Sequence, residues 1–421
     1  MAWLASETGS DVLASLTAYD DAVHDLAAAG DATALDPVRA VAAARKSLPG
    51  LDPALVSAAL TQVRLRRRAR PRLGDLSAHL LLTDEGLEQA TRTVVADLRA
   101  RRYAEAGTTH VADLGCGLGL DAMAFARVGL RVTAVERDLV SAALAEANVA
   151  ALGLDHLVEL RIGDVTDPAT LEQSLARADA AYADPARRDP DRARDGRSTR
   201  QPDPSQWSPP WSWVERVASQ VPRTAAKVAP GVPHGMTPAG GCATWTSVDG
   251  QLVEAELAWP ALAQSGQRRR AVVVRRGTVT SMTAVDDLAQ AGSPPVADVG
   301  QWLLEPDDAV IRAGLVANLA AQIDGWLLDP RVAYISTGTD LDAGDLAARF
   351  LVRRALPFRI DTLRSALIGE GIGHVVVKKR AIAVEPDDVR RQLRLPPAPG
   401  RAVVLLTRVG ADPWAFVCDP A

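Results

Sequence analysis

The chain is predicted to be α/β: a Rossmann-like domain, a helical region before it and a small α+β domain after it. Three observations predict this. Val111-Ala-Asp-Leu-Gly-Cys-Gly-Leu-Gly-Leu-Asp121 carries an apolar run into an acidic residue, then into glycines at alternate positions. Val132-Thr-Ala-Val-Glu136 is a second apolar run ending in one acid. Strand and helix patterns then alternate as far as Asp184, as expected of a parallel sheet with helices on both faces. Together they describe a nucleoside-binding crevice at the carboxyl ends of parallel strands.

The 421 residues are enough for two or three domains, and 48% apolar content is ample for their cores. The net charge of −5 does not point to nucleic acid. Of 47 basic residues only Lys46, Lys227, Lys378 and Lys379 are lysines, so arginine abundance is not in itself a phosphate signal. Met1-Ala-Trp-Leu-Ala-Ser-Glu-Thr has no basic stretch before an apolar one, so no signal peptide is expected. No apolar run reaches membrane-spanning length, and no membrane partner is expected. Cys116, Cys242 and Cys418 are far apart and lack metal-ligand spacing. No metal is expected, and a reduced, cytoplasmic setting fits.

Residues 1–102 read as a helical domain. Leu13, Leu16, Tyr19, Val23 and Leu26 recur at helical spacing, and Asp36-Pro37 and Asp52-Pro53 both look like a cap followed by proline at the first helical position. The helix from Ala54 ends in six arginines within nine residues, Arg64 to Arg72, among them Arg66, Arg67 and Arg68. The run is either a solvated helix end, where cations suit the dipole, or a phosphate-facing patch. Thr83, Gly86 and Glu88 read as a turn into a capped helix that can fold over the crevice. Glu88, Gln89 and Thr91 can then touch a ligand, or simply be cap and surface residues.

Residues 103–276 form the Rossmann-like domain. Ile162-Gly-Asp164 ends a third strand, and Ala180-Ala-Tyr-Ala-Asp184-Pro185 ends a fourth. A polar loop follows, leading into Trp207-Ser-Pro-Pro-Trp211, and Ala225 to Gly231 reads as the fifth strand. Ala243–Val248, Leu252–Trp259 and Ala271–Arg275 are extended candidates for an antiparallel finish. Residues 277–344 read as a linker, to about residue 300, and one helix from Ala309 to Leu328. Residues 345–421 alternate strands and helices and carry 13 basic against 8 acidic residues, including Lys378, Lys379 and Arg380.

The spacing is D-x-G-x-G-x-G; Leu120 stands where a dinucleotide fingerprint requires glycine. The four strand ends resemble those of class I S-adenosylmethionine (SAM) methyltransferases. That resemblance implies SAM held by Asp113, Gly115, Gly117, Gly119, Glu136 and Asp164. Glu136 would take the ribose, Asp164 the adenine, and the glycine N–H groups the carboxylate. Another Rossmann-like domain with an unrelated ligand is the alternative, since fold does not fix function.

Asp184-Pro185-Ala186-Arg187-Arg188 partly matches the motif of enzymes that methylate exocyclic amines. Asp184 and Pro185 match; Ala186 replaces a second proline, and Arg187 replaces the aromatic. Guanidinium can stack on a base or grip phosphate, so Asp184, Pro185 and Arg187 are the catalytic candidates and Arg188 a substrate ligand. A nucleophilic-cysteine route would need Cys242, placed on a loop. Trp207 and Trp211 can stack a base or anchor the loop; His234 can be a base or a bland loop residue.

The whole is similar to bacterial class I methyltransferases with a THUMP-like C-terminal domain. The similarity rests on Leu87-Glu-Gln-Ala-Thr91, Asp113–Gly119, Tyr182-Ala-Asp-Pro-Ala-Arg-Arg188, Lys227-Val-Ala-Pro-Gly231 and Val377-Lys-Lys-Arg380. It implies SAM as donor and, because THUMP domains accompany RNA-modifying enzymes, an RNA partner (tRNA or rRNA) methylated on a base. Arg66, Arg67, Arg68, Lys378, Lys379 and Arg380 would hold phosphates. A small-molecule or protein methyltransferase and a non-catalytic RNA-binding scaffold are the competing readings.

Overall fold

The computed structural model describes residues 51–185, 203–264, 266–287 and 292–420, with part of residues 3–17. Tyr19, Val23, Leu26, Asp36-Pro37, Arg187 and Arg188 lie outside the described residues. The chain divides into two compact units, Met1–Lys227 and Val228–Ala421.

In the first unit, α1 (Pro53–Leu73) starts as Asp52-Pro53 predicts. The Asp52 carboxylate accepts from the Ala54 N–H at 2.8 Å, and Pro53 fills a position that needs no donor. Helix α2 (Asp84–Gln89) is capped by the Thr83 hydroxyl, which accepts from the Gly86 N–H at 2.9 Å. Then come α3 (Thr93–Glu105), β1 (His110–Leu114), α4 (Leu120–Arg127), β2 (Arg131–Glu136), α5 (Leu139–Ala151), β3 (Val158–Ile162), α6 (Pro168–Leu175), β4 (Ala180–Ala183), α7 (Trp211–Gln220) and β5 (Arg223–Val228). The five strands are parallel in the order β3-β2-β1-β4-β5. Chain direction across the sheet reverses between β1 and β4, and a crevice opens at such a switch point.

Leu80, Leu81 and Leu82 are buried without belonging to a strand, so their backbone groups need side-chain partners. Three side chains supply them. Gln62 of α1 donates to the Leu82 carbonyl and accepts from its N–H, both at 2.8 Å. Arg66, one turn on, donates to the Leu80 carbonyl at 2.9 Å. Asn148 of α5 accepts from the Leu81 N–H at 2.6 Å and donates to the carbonyls of Leu81 and Leu118 at 3.1 and 3.2 Å. This clamp ties α1 to the glycine turn. Asn148→Ala would leave two buried carbonyls and one N–H unpaired, each worth about 1–3 kcal/mol. We expect a loss of about 3 kcal/mol in urea unfolding.

The second unit opens with β6 (Cys242–Val248), β7 (Gln251–Ala258), β8 (Arg269–Arg275) and β9 (Thr278–Ala284), in the order β7-β6-β8-β9. Strand β6 is antiparallel to β7 and parallel to β8. Strand β9 lies where a linker was expected. Its polar, threonine-rich sequence masks an alternation that buries Met282 and Ala284. Next are β10 (Trp302–Pro306), α8 (Asp308–Arg312), α9 (Val316–Gln322), β11 (Trp326–Leu327), β12 (Ile335–Thr337), β13 (Ala347–Pro357), α10 (Ile360–Gly369), β14 (Ile372–Lys379), α11 (Pro386–Leu393), β15 (Gly400–Val409) and β16 (Asp412–Pro420). The single helix expected over 309–328 is two helices and a short strand. Gly314, at φ 66°, donates to Ile311 while Leu315 donates to Val310, which closes α8 in a glycine-dependent C-cap.

The C-terminal sheet runs β11-β12-β10-β13-β16-β15-β14, with β14 and β15 parallel and β15 antiparallel to β16. Val404 and Leu406 pack with Leu363, Leu367, Val389 and Leu393 of the two helices. Val403 and Leu405 point the other way, onto Leu303, Tyr334 and Phe350. Burial on both faces explains why Ala402 to Leu406 reads as a continuous apolar run rather than an alternation.

Candidate active site

Strand β1 delivers the glycine turn. The N–H groups of Gly115 and Cys116 both donate to the Val135 carbonyl, at 3.0 and 2.9 Å, so the turn is fixed to the end of β2. Gly115, Gly117 and Gly119 have φ of 94°, 57° and 80°, which side-chain-bearing residues rarely adopt. A Cβ on Gly115 or Gly117 would meet no atom within 4 Å, so the turn faces open space, whereas Gly119 lies against Ala145 of α5. Glu136 accepts from the N–H groups of Gly117 and Asp138, both at 2.9 Å. Two residues that the sequence assigned separately to a ligand are thus bonded to each other.

Asp113 is 1% exposed, and its Oδ2 has no hydrogen-bond partner. Burial, then the carboxylates of Asp121 and Asp184, push its carboxyl well above the usual range; Arg99 opposes this, and Glu136 adds to it. Arg99 and Asp121 form a buried ion pair, and the guanidinium lies 4.4 Å from the centre of the Tyr182 ring. Asp121 also accepts from the Thr91 hydroxyl at 2.8 Å. Thr91 in turn accepts from Lys227 Nζ at 3.2 Å, as does the Gln89 carbonyl at 3.3 Å. Lys227, at the end of β5, pairs with Asp184 at 2.8 Å. One network therefore runs Arg99–Asp121–Thr91–Lys227–Asp184, linking the ends of β4 and β5 to the segment before α3.

At the end of β3, Ile162 is 62% exposed, and Leu139 at the start of α5 is 66% exposed. Asp164 stands two residues beyond Ile162. The Thr166 hydroxyl and backbone N–H hold its carboxyl below the usual range. Arg137 lies 3.9 Å from it. An exposed apolar surface beside an acceptor suits a flat heterocycle with an amino group.

Residues 80–175 match the Methyltransferase small domain family, and residues 347–420 match the THUMP domain-like family. A solved structure from Porphyromonas gingivalis W83, assigned to the methyltransferases, superposes with a TM-score of 0.69 over 89% of this chain and 92% of its own. At 18% identity that likeness speaks for the fold alone. In Mycobacterium tuberculosis, strains CDC 1551 and H37Rv, an uncharacterized S-adenosylmethionine-dependent methyltransferase is 35% identical over 370 residues, which is 85% of this chain and 95% of the relative. The chain belongs to the SAM-dependent methyltransferases.

One residue singled out in the methyltransferase's sequence is placed otherwise. Cys242 is not on a loop; it begins β6 and is buried. Burial and the Asp113 and Glu136 carboxylates push the Cys116 thiol well above its ordinary range. Trp207 is buried, edge-on to Trp211 at 6.1 Å between ring centres. His234 lies against the Trp245 ring at 4.7 Å, and burial lowers its pKa.

The basic candidates are mostly engaged. Arg66 is half-buried in the Leu80 clamp, and Arg68 pairs with Asp84, while Arg67 is exposed. Lys378 pairs with Glu305, Lys379 with Glu385 at 2.7 Å, and Arg380 with Glu305 and Asp308 at 3.6 and 3.7 Å. Among the described residues no three His, Cys, Asp or Glu side chains gather to hold a metal, and no helix is long and apolar enough to cross a membrane. Arg99, Asp121, Asn148 and Lys227 were not named from the sequence as site residues. Only Lys227 carried a signal, within its K-x-A-P-G motif.

Proposed function

We propose that the methyltransferase modifies a base in tRNA or rRNA, in the cytoplasm. The THUMP domain-like match over residues 347–420 carries the RNA reading. The orphaned Oδ2 of Asp113 fits a ligand with hydrogen-bond donors, and the open face of Gly115 and Gly117 lets it approach the backbone; the N–H groups of Gly115, Gly117 and Gly119 already donate to Val135, Glu136 and Cys116, so they do not take its carboxylate as the sequence suggests. In this reading Asp113, Gly115, Gly117, Gly119 and Glu136 hold the amino-acid and ribose parts of SAM, and Asp164 beside Ile162 holds the adenine. SAM supplies an electrophilic methyl group on a sulfonium.

Asp184 and Pro185 end β4 at the switch point. Lys227, itself fixed by Gln89 and Thr91, orients the Asp184 carboxylate to accept a hydrogen bond from the acceptor and take up a proton. Arg187 would stack on or grip the acceptor nucleotide. Phosphates would be held by Arg188, Arg67 and Arg68 and by Lys378, Lys379 and Arg380, while Arg66 serves the Leu80 carbonyl instead.

The test is transfer of labelled methyl from SAM into fractionated extract of a strain lacking the protein. Label should enter RNA, and the rate should fall steeply with salt, because phosphate contacts release counterions. Salt-independent turnover on RNA would overturn the reading. The ion pairs of Lys378, Lys379 and Arg380 and the net charge of −5 favour a second reading, a small-molecule or protein acceptor, in which label enters those fractions instead.

A further inference from the structure

Thr91 lies between α2 and α3 and is 5% exposed, so its hydroxyl depends on protein partners. A hydroxyl has one proton to give and two lone pairs, whereas an ammonium can only donate. Lys227 Nζ, 3.2 Å away, therefore takes a lone pair of the Thr91 oxygen. The Thr91 proton goes to Asp121 Oδ2, at 2.8 Å. The other Asp121 oxygen, Oδ1, accepts from Arg99. Each bond thus has one direction: Arg99 and Thr91 donate to Asp121, and Lys227 donates to Thr91 and Asp184. Both ends of this chain of contacts rest on β4. Arg99 lies over the ring of Tyr182, and Asp184 follows two residues on. A buried ion pair such as Arg99–Asp121 is weak evidence for stability in itself, which leaves room for a second role.

We propose that Thr91 is a positioning residue for methyl transfer: oriented by Asp121, its hydroxyl fixes Lys227 and so the direction in which the Asp184 carboxylate meets the acceptor. The proposal rests on the reading of Asp184 as the group that meets the acceptor. Lysine carries its charge on a flexible four-carbon stem. Without the Thr91 oxygen the stem can turn, and Asp184 turns with the ammonium it is paired to. The Arg99–Asp121 pair thereby takes part in the reaction, by fixing which way the Thr91 hydroxyl points.

Two readouts on the full chain test this. Lys46, Lys227, Lys378 and Lys379 are the only lysines, so isotope labelling of lysine nitrogen gives few ammonium signals, and Lys227→Met assigns the one needed. Thr91→Val removes the hydroxyl at nearly constant size. It should speed hydrogen exchange at Lys227 Nζ about tenfold, the worth of one hydrogen bond to a charged group. Single-turnover transfer of labelled methyl from SAM into RNA of a strain lacking the protein should fall by about 10- to 10²-fold, the cost of a misplaced reacting group. SAM affinity by calorimetry should stay as in wild type, and Thr91→Ser should restore both readouts. In a Lys227→Met background, Thr91→Val should cost no further rate, because it acts through the lysine; a merely structural threonine would add its own loss. Should Thr91→Val fail to fold, Thr91→Cys, a weaker donor and acceptor, takes its place. Exchange equal to wild type overturns the proposal, as does an unchanged rate where Asp184→Ala slows transfer. Rates unchanged in both variants would instead end the reading of Asp184. Label entering small molecules or protein would end the RNA reading, and the same comparison on that fraction then decides.

Discussion

Asp184→Ala should lower methyl transfer by about 10²–10⁴-fold, the range for a positioned acid–base group, with SAM affinity nearly unchanged. The carboxylate ends β4, and Lys227 holds it at 2.8 Å while Thr91 and Gln89 hold the lysine. Removing it deletes the acceptor's hydrogen-bond partner. It also takes from Lys227, whose side chain is only 13% exposed, the carboxylate it pairs with. Asp184→Asn keeps an oxygen acceptor but not the charge, and should fall between. Single-turnover rates with labelled SAM, alongside calorimetric SAM binding, separate chemistry from affinity. A rate for Asp184→Ala within about threefold of wild type, far short of the loss of an acid–base group, would remove Asp184 from the mechanism.

Arg99→Met should destabilise the fold by about 3–5 kcal/mol, the usual cost of breaking a buried ion pair from one side. Arg99 is 1% exposed at its side chain and Asp121 is 12% exposed, so water cannot replace the missing partner. The effect has a sign in pH. The Asp113 carboxyl titrates above its unfolded value, so its ionisation costs stability as pH rises from the unfolded pKa through the folded one. Arg99 opposes that shift, and its loss enlarges it. The stability deficit of Arg99→Met should therefore be smaller near ~pH 5 than near ~pH 8, and Asp113→Asn in the same background should recover part of it. Urea unfolding across that range measures both. A deficit that does not vary with pH would detach Asp113 from the network.

Local chemistry made much of the fold readable. Asp52-Pro53 and Thr83 set helix starts, and glycines at alternate positions after an apolar run marked the β1 turn. The strand ends at Asp113, Glu136, Asp164 and Asp184 were legible because each closes an apolar run. What stayed hidden depends on distance in the chain. Arg99 and Asp121 are 22 residues apart, and Lys227 reaches Thr91 across 136; neither spacing has a helical or strand period. The arginine run was legible only as a run. Its division into Arg66 on a buried carbonyl, Arg68 on Asp84 and Arg72 on the Leu87 and Glu88 carbonyls follows from packing against residues 80–92. The helix expected from Ala309 failed at Gly314, because apolar spacing continues across a residue whose backbone turns left-handed.

The clamp at Leu80–Leu82 sets where this enzyme can be cut. Gln62 and Arg66 hold the tripeptide from one side, and Asn148 holds it from the other while reaching the glycine turn. A fragment beginning at the first strand would lack all three leucines and leave Asn148 facing solvent where it now fastens the turn. For exchange of parts between homologues, the inheritable catalytic piece starts before residue 53. A chimera joined between α1 and β1 would bring together a helix and a turn that no longer share the peptide both grip.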